Sequence, residues 1–393
     1  MNKIYKNSTE VANIGGASIY MNDLADACLY GRLNLFLQGD TGSGKTQLAR
    51  DTMGYFPGKS LFVLGRNDMD TRELFQQINL EKLKTAKSSE DLKEVTSKVN
   101  TNLIVVDELP NCVPAVRAQL FNLFDGYIEV NGVAYPIGNR YSVGIATGNI
   151  GQQFTESSNE LGRALKDRMH VIIDTDYFPP KPSDTLEILA GNTNPRVEFE
   201  SQGEDKSKEI ISKYMKISSD EIPLKKLIIA NYLLHGLDYC SKGSKRAMKS
   251  AWPTQLDSHE QGSDVGLVLP VSPRAAKSII RLSQSLDDIA RQKGGSPDEF
   301  ESMMTAYKMV SSYSGVLNEA DVQNKYDGNH YKAMDAIIST TRTQFNGQAE
   351  NIDAGLEMAS KGEKDQKIMD NFKGRWTFMR DTLEGILNNS KEK

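Results

Sequence analysis

The sequence predicts an α/β fold: a mainly parallel sheet flanked by helices, followed by an all-helical second half. Three observations predict it. Short apolar runs alternate with helical patterns as far as about Tyr177. A glycine-rich turn joins the first of these runs to a helix. Beyond the proline-rich boundary FPPKPSD, nearly every segment carries helical periodicity.

Taken in order, Leu33–Leu37 (LNLFL) reads as a strand, followed by the glycine-rich turn and a helix starting near Lys45. Leu61–Leu64, Leu103–Val106, Tyr141–Thr147 and Val171–Asp174 supply further strands. The run LIVV at 103–106 is apolar throughout, as a strand buried on both faces requires. Two features exceed a minimal sheet. Asn67–Asn100 is long and polar, with at least one helical pattern, and Tyr127–Ile137 (YIEV-NG-VAYPI) carries the Asn-Gly signal of a tight hairpin. That hairpin follows a helix whose apolar face runs Val113, Val116, Leu120, Leu123 and Phe124.

Past the boundary, Ser183 or Asp184 is placed to cap a helix through Leu189. Residues 191–207 read as an exposed loop, and 242–266 as polar, glycine-rich sequence of unassigned structure. Helices are expected at Pro223–Tyr239, Ala275–Gln292 and Asp298–Ser312. The tail from about Tyr331 is helical, with Ile337, Phe372, Trp376, Leu383 and Ile386 as packing positions and the FKGRW and KGEKDQK stretches as solvated faces. The expected division is an α/β core at 1–177, a helical domain at 178–330 and a helical extension at 331–393.

Composition bounds the function. The 393 residues carry a formal net charge of −5, which argues against broad affinity for DNA or RNA, where binding is driven by neutralising phosphates. The N-terminus lacks the apolar run of a signal peptide, and no stretch approaches the roughly 18 apolar residues of a membrane span. Cys28, Cys112 and Cys240 are far apart and lie among apolar neighbours, so packed thiols and a cytoplasmic location are expected. The four histidines show no metal-ligand spacing.

The chemistry is concentrated in two motifs. Gly39, Asp40, Thr41, Gly42, Ser43, Gly44, Lys45 and Thr46 satisfy G-x-x-x-x-G-K-[ST] between a strand and a helix. The glycines let successive N–H groups turn inward around phosphate oxygens, and the helix N-terminus favours anions. Lys45 then reaches the β- and γ-phosphates, and the Thr46 hydroxyl ligates Mg²⁺. Asp107 and Glu108 end the LIVV strand, where ligands of parallel sheets gather. Asp107 is expected on the metal, and Glu108 as the general base for an attacking water.

With those residues in place, a family resemblance becomes specific. DELPNCVPAVRAQLFNLFDGYIEVNG resembles the segment after the acidic pair in MoxR-type and dynein-related AAA+ proteins, where a helix and a hairpin precede the sensor strand. GIATGN is similar to that sensor strand, ending in Asn149. NELGRALKDRMHVIID is similar to the stretch whose arginine, here Arg168, enters a neighbouring subunit's site, with Arg163 as its rival. VSPRAAKSIIRLSQSL resembles the lid helix that starts S-P-R-A, with Arg274 as the second sensor arginine. Positions 110–111 are Pro-Asn where MoxR relatives usually carry Asn-Arg.

The resemblance implies an AAA+ P-loop core with ATP as substrate and Mg²⁺ as cofactor. It implies a homo-oligomer, a hexameric ring as in the family, and a protein client, often one with a von Willebrand A domain. The competing class is a nucleic-acid-directed AAA+ motor of helicase or replication type. No helix-turn-helix, zinc ribbon or basic-aromatic stripe supports it.

Overall fold

Every apolar run read as a strand enters one sheet. The computed structural model of the chain describes residues 4–66, 75–78, 93–130, 132–149, 163–191, 204–237 and 267–391. These pack as two compact units, Met1–Ser219 with Gln284–Ser296, and Asp220–Ser283 with Pro297–Lys393. The first unit opens with strands β1 (Glu10–Ile14) and β2 (Ala17–Tyr20), helix α1 (Met21–Gly31), β3 (Leu35–Gln38), α2 (Lys45–Met53) and β4 (Ser60–Leu64). It continues through β5 (Gln76–Ile78), β6 (Lys93–Val95), β7 (Leu103–Asp107), α3 (Pro114–Phe124), β8 (Tyr127–Val130), β9 (Val133–Pro136) and β10 (Val143–Gly148). Then come α4 (Arg163–Lys166), β11 (Val171–Asp174), α5 (Pro182–Ala190) and α6 (Ser207–Ser219).

The sheet has the order β11-β3-β10-β7-β4, and all its pairs are parallel. Leu35–Gln38 are buried throughout, as are the first four residues of β7, so the sheet is covered on both faces. The register aligns Gln38 with Gly148 on one side and with Asp174 on the other, and sets Val106 beside Ala146. The carboxyl ends of β3, β7, β10 and β11 therefore meet at one edge, with the sequence-distant segments after them brought side by side.

Helix α3 starts on Pro114, whose missing N–H would have had no partner in the first turn, and stops at Gly126 with φ +86°. The predicted hairpin follows, with Val130 paired to Val133 across a two-residue turn and Gly132 at φ +75°. Ile128 and Val130 are buried, whereas all of β9 is exposed. The described parts of 67–100 form an antiparallel pair, β5 with β6, and a 3₁₀ turn at Ser97–Asn100. The remainder of that insert, with the helical pattern expected there, lies outside the described residues.

Asp184 acts differently from a first-position cap. Lys181 is the N-cap, and Asp184 in the first turn accepts from the Lys181 N–H at 2.9 Å. The same oxygen accepts from the N–H and hydroxyl of Ser8 at 2.8 and 2.9 Å, so α5 fixes the chain start. Cys28 and Cys112 are buried free thiols. Cys240 and the segment 242–266 lie outside the described residues.

The second unit contains α7 (Leu224–His235), the first part of α8 (Pro273–Gln292), α9 (Glu299–Ser311), α10 (Glu319–Tyr326), α11 (His330–Asn346), α12 (Ala349–Lys361), α13 (Gln366–Asp370) and α14 (Phe378–Lys391). Its centre is aromatic. Tyr232 of α7 is flanked by Phe345 and Trp376, each with ring centroids at 5.0 Å. Arg375 donates to the Tyr232 hydroxyl at 3.1 Å, and Asn231 to Thr382 at 2.8 Å. Phe372 and Trp376 are buried, as packing positions should be, and Arg375 is buried with them, so the FKGRW stretch is not the solvated face expected of it and only Lys373 in it is exposed. Its apolar and aromatic residues outweigh its charge, because Arg375 has a hydroxyl to bond. Ile337 and Leu383 are buried as expected, and Ile386 is half-buried. Among the described residues, no helix is long and apolar enough to cross a membrane.

Candidate functional site

Gly39–Gly44 is a loop between β3 and α2, held by the segment after β11. Gly39 (φ +145°) and Gly44 (φ +81°) lie where L side chains rarely go. A Cβ on Gly39 would stand 2.2 Å from the Thr175 hydroxyl, and one on Gly44 would stand 2.9 Å from the Tyr5 ring. Thr175 Oγ1 contacts the Gln38 carbonyl and Ser43 Oγ, both at 2.9 Å, and the Asp40 N–H donates to Asp176 at 2.9 Å. Nothing in the sequence motif announces Thr175 or Asp176; the pairing of β11 with β3 brings them there.

Lys45 is buried, and its ammonium donates to the carbonyls of Gly39 (3.0 Å) and Asp40 (2.6 Å) and to Ser43 Oγ (3.1 Å). Burial pulls its pKa below the usual lysine value, and the carboxylates of Asp176, Asp40, Asp107 and Asp174 oppose that pull. Thr46 Oγ1 donates to Asp107 Oδ1 at 2.9 Å. The residues fit a magnesium-bound polyphosphate: a positive-φ glycine loop, a helix N-terminus, a buried ammonium inside the loop, and a hydroxyl paired with a carboxylate. Thr46 and Asp107 would hold the metal, which characteristically keeps few protein ligands beside phosphate oxygens.

Beyond Asp107, the backbone of Glu108 takes a left-handed conformation, φ 54° and ψ 43°. Thr147 of β10 fixes it there. Its hydroxyl accepts from the Glu108 N–H at 3.1 Å and donates to Asp107 Oδ1 at 2.5 Å. Gly65 adds a bond from its N–H to the Asp107 carbonyl at 2.7 Å, at a position where a Cβ would lie 2.6 Å from the Glu108 carbonyl oxygen. The Glu108 carboxylate is exposed and accepts from Asn111 Nδ2 at 2.5 Å. Thr147 and Asn111 are absent from the sequence-derived set. Asn111 sits where relatives of the resembled branch carry arginine, and it supplies a polar contact to the acidic pair.

The remaining predicted residues divide. Asn149, one residue past β10, reaches the phosphate loop and donates to Thr41 Oγ1 at 3.4 Å. Arg168 lies before β11, whose Val171 pairs with Leu35, at the amino-terminal edge of the sheet opposite the phosphate loop. Its Nε donates to Asp125 Oδ2 at 2.9 Å, and its guanidinium stands 4.6 Å over the Phe121 ring. Arg163 begins α4. Arg274 is exposed in the first turn of α8, in the second unit, where Ser272 Oγ caps the Ala275 N–H at 3.1 Å.

A parallel sheet ending in a glycine loop, a buried lysine and a hydroxyl-carboxylate pair defines a P-loop nucleotide-binding domain, here with a helical tail. The family follows from the sequence of that domain. Residues 34–169 match the family described as AAA domain (dynein-related subfamily), and over that segment the chain is such a domain. The structure resembles the crystal structure of a candidate ATPase from Cytophaga hutchinsonii, with a TM-score of 0.59 and 15% identity over 84% of this chain and 91% of that one. A likeness at that identity establishes shared fold. A full-length MCM homolog from Methanopyrus kandleri matches at a TM-score of 0.45 and 14% identity, over 75% of this chain and 55% of that one. No curated protein matches the chain in sequence.

Proposed function

We propose that the chain is an ATP-hydrolysing AAA+ motor subunit of MoxR-like type, which assembles into a homo-oligomeric ring and remodels or activates a protein client. One observation carries the reading: the phosphate loop and Arg168 occupy opposite ends of the same strands. The four residues of β3 separate the level of Val171 from the loop, roughly 13 Å of strand at about 3.3 Å per residue. Arg168 therefore cannot serve the loop of its own subunit, while a neighbour's loop could receive it. A hexamer, as in the resembled family, is the expected ring.

In this reading Lys45 leaves the loop carbonyls for the β- and γ-phosphates of ATP, which offer it anionic acceptors. Glu108 orients and deprotonates the attacking water, and Asn149 helps to place that water from the phosphate-loop side. Mg²⁺, when held by Thr46 and Asp107, neutralises charge on the β- and γ-oxygens. Arg168 stabilises the charge of the transferring group in the next subunit, a contribution worth roughly 10³–10⁵ in rate. Arg274 keeps the γ-phosphate role that the resemblance gives it, with 178–330 as lid and 331–393 as extension. The exposed strand β9, with Val133 52% and Tyr135 36% accessible, suits a protein contact. A von Willebrand A domain is the kind of client that the resemblance suggests.

The test is steady-state hydrolysis with Glu108→Gln. The variant is expected to bind ATP and assemble while turnover falls at least about a hundredfold. Normal turnover would sink the assignment. Stimulation of the wild type by DNA, with steep salt dependence, would replace the protein client with a nucleic acid.

A further inference from the structure

Arg168 is restrained at both its backbone and its side chain, and the restraints on its carbonyl and its guanidinium lead to the end of α3. The Arg168 carbonyl accepts from Asn34 Nδ2 at 2.9 Å, and the same amide donates to the carbonyl of Phe124 at 2.7 Å. Phe121 and Asp125 are four residues apart, so they present one face of the helix end. That face takes the guanidinium: Nε on the Asp125 carboxylate at 2.9 Å, the plane over Phe121 at 4.6 Å. The pair is half-buried, with the Arg168 side chain 21% and the Asp125 side chain 28% accessible.

An aspartate at a helix C-terminus has the wrong sign for the helix dipole. Its presence there asks for a cause, and the cation beside it supplies one. A surface ion pair of this kind contributes little to stability. It does remove rotamer freedom from a long side chain, with the guanidinium held at its Nε. A guanidinium ordered before docking needs less ordering when it meets phosphate.

We propose that Asp125 is a positioning residue for Arg168, holding the guanidinium against Phe121 in the orientation in which it enters the neighbouring subunit's site. This inference rests on the trans-acting reading of Arg168. Asp125 touches no reacting atom and acts on the neighbour's turnover, leaving its own subunit's nucleotide binding unchanged.

The experiment compares full-length wild type with Asp125→Ala, Asp125→Asn, Asp125→Glu and Arg168→Ala, reading affinity for fluorescent ADP, KM for ATP and kcat. Asp125→Ala and Asp125→Asn are expected to keep ADP affinity and KM while kcat drops about tenfold, the scale of the freedom returned to one arginine. Asp125→Glu restores most of the rate. Asp125→Ala is then mixed with excess Glu108→Gln, whose subunits are inert but carry an intact Asp125–Arg168 pair. Turnover per Asp125→Ala subunit should rise to that of wild type mixed in the same ratio. A wild-type or raised kcat in Asp125→Ala overturns the proposal, as does a deficit that mixing leaves untouched. Full turnover by Arg168→Ala removes the underlying reading; loss of rate in Arg168→Ala with none in Asp125→Ala removes this inference alone.

Discussion

Replacing Thr147 by valine deletes a single hydroxyl at nearly constant volume, and among the described residues that hydroxyl links the acidic pair to β10. It donates to Asp107 and accepts from the Glu108 N–H at 3.1 Å, on a side chain that is almost wholly buried. Losing a bond to a charged acceptor removes about 1.5–3 kcal/mol, and leaving an amide unmet costs about 1–3 kcal/mol more. Relaxation of the left-handed Glu108 backbone returns about 1–2 kcal/mol of that. The net expectation is a destabilisation of about 2–4 kcal/mol, with Glu108 no longer held at its present angle. Since each 1.4 kcal/mol is about tenfold in rate, even a third of that loss expressed in the transition state lowers kcat about threefold to ninefold. Thermal unfolding followed by circular dichroism and steady-state ATP hydrolysis measure the two parts. Thr147→Ser keeps the hydroxyl and should stay near wild type. A valine variant with wild-type melting and turnover, or a serine variant as damaged as the valine one, refutes the reasoning.

Two further outcomes follow from the same site and its supports. Gly39→Ala places a methyl 2.2 Å from Thr175 Oγ1, whereas Gly42→Ala meets nothing within 4 Å, although both carry positive φ. Titration with fluorescent ADP should show Gly39→Ala weaker than Gly42→Ala by about thirtyfold, or about 2 kcal/mol; equal losses count against the packing argument. Burial pushes the Asp184 carboxyl up, but the N–H groups of Ser8 and Lys181 and the Ser8 hydroxyl hold it, on balance, below its ordinary value of 3.8. Its contribution is therefore complete above that value and drains as pH falls through the lower, folded-state value. Asp184→Asn should lower stability by about 1–2 kcal/mol near pH 7, and its deficit relative to wild type should shrink in acid titrations followed by circular dichroism. A deficit constant from pH 7 to pH 2 would show that this carboxylate is not the titrating support.

What the sequence disclosed and what it withheld have different physical sources. β7 was legible because four consecutive apolar residues have few alternatives, and the loop at 39–46 because each of its positions has a local job. Hairpin β8–β9 was legible from Asn-Gly alone. Thr147, Thr175, Asp176 and Asp125 were not, because their roles are set by strand register and helix packing between segments 39 to 137 residues apart in sequence, and each is an ordinary polar side chain with no motif around it. Strands β1 and β2 escaped for a related reason: EVANI and ASIY are short and weakly alternating, and they exist as strands because they pair with each other. Arg375 shows the opposite failure. Charge density marked FKGRW as solvated, and the Tyr232 hydroxyl made burial affordable.

The path of α3 explains why the acidic pair and Arg168 can sit at opposite ends of the sheet and still belong to one machine. The helix starts three residues after the 3₁₀ turn Leu109–Asn111 that follows Glu108, and it ends at the residue before Asp125. Eleven residues at 1.5 Å each make a rod of about 16 Å, comparable to the span of strand between the two edges. One end of that rod adjoins the glutamate assigned to a subunit's own ATP, and the other holds the arginine assigned to the neighbour's. The hairpin leaves from the second end, where Gly126 takes φ +86° and the Ile137 N–H returns to the Gly126 carbonyl at 2.9 Å. A hydrogen-bonded helix resists compression along its axis, so on the proposed reading α3 is the element through which the Glu108 end, the hairpin and Asp125 are linked. On the proposed reading, the helix and hairpin placed here in the chain tie the acidic pair, the hairpin and Arg168 to one element.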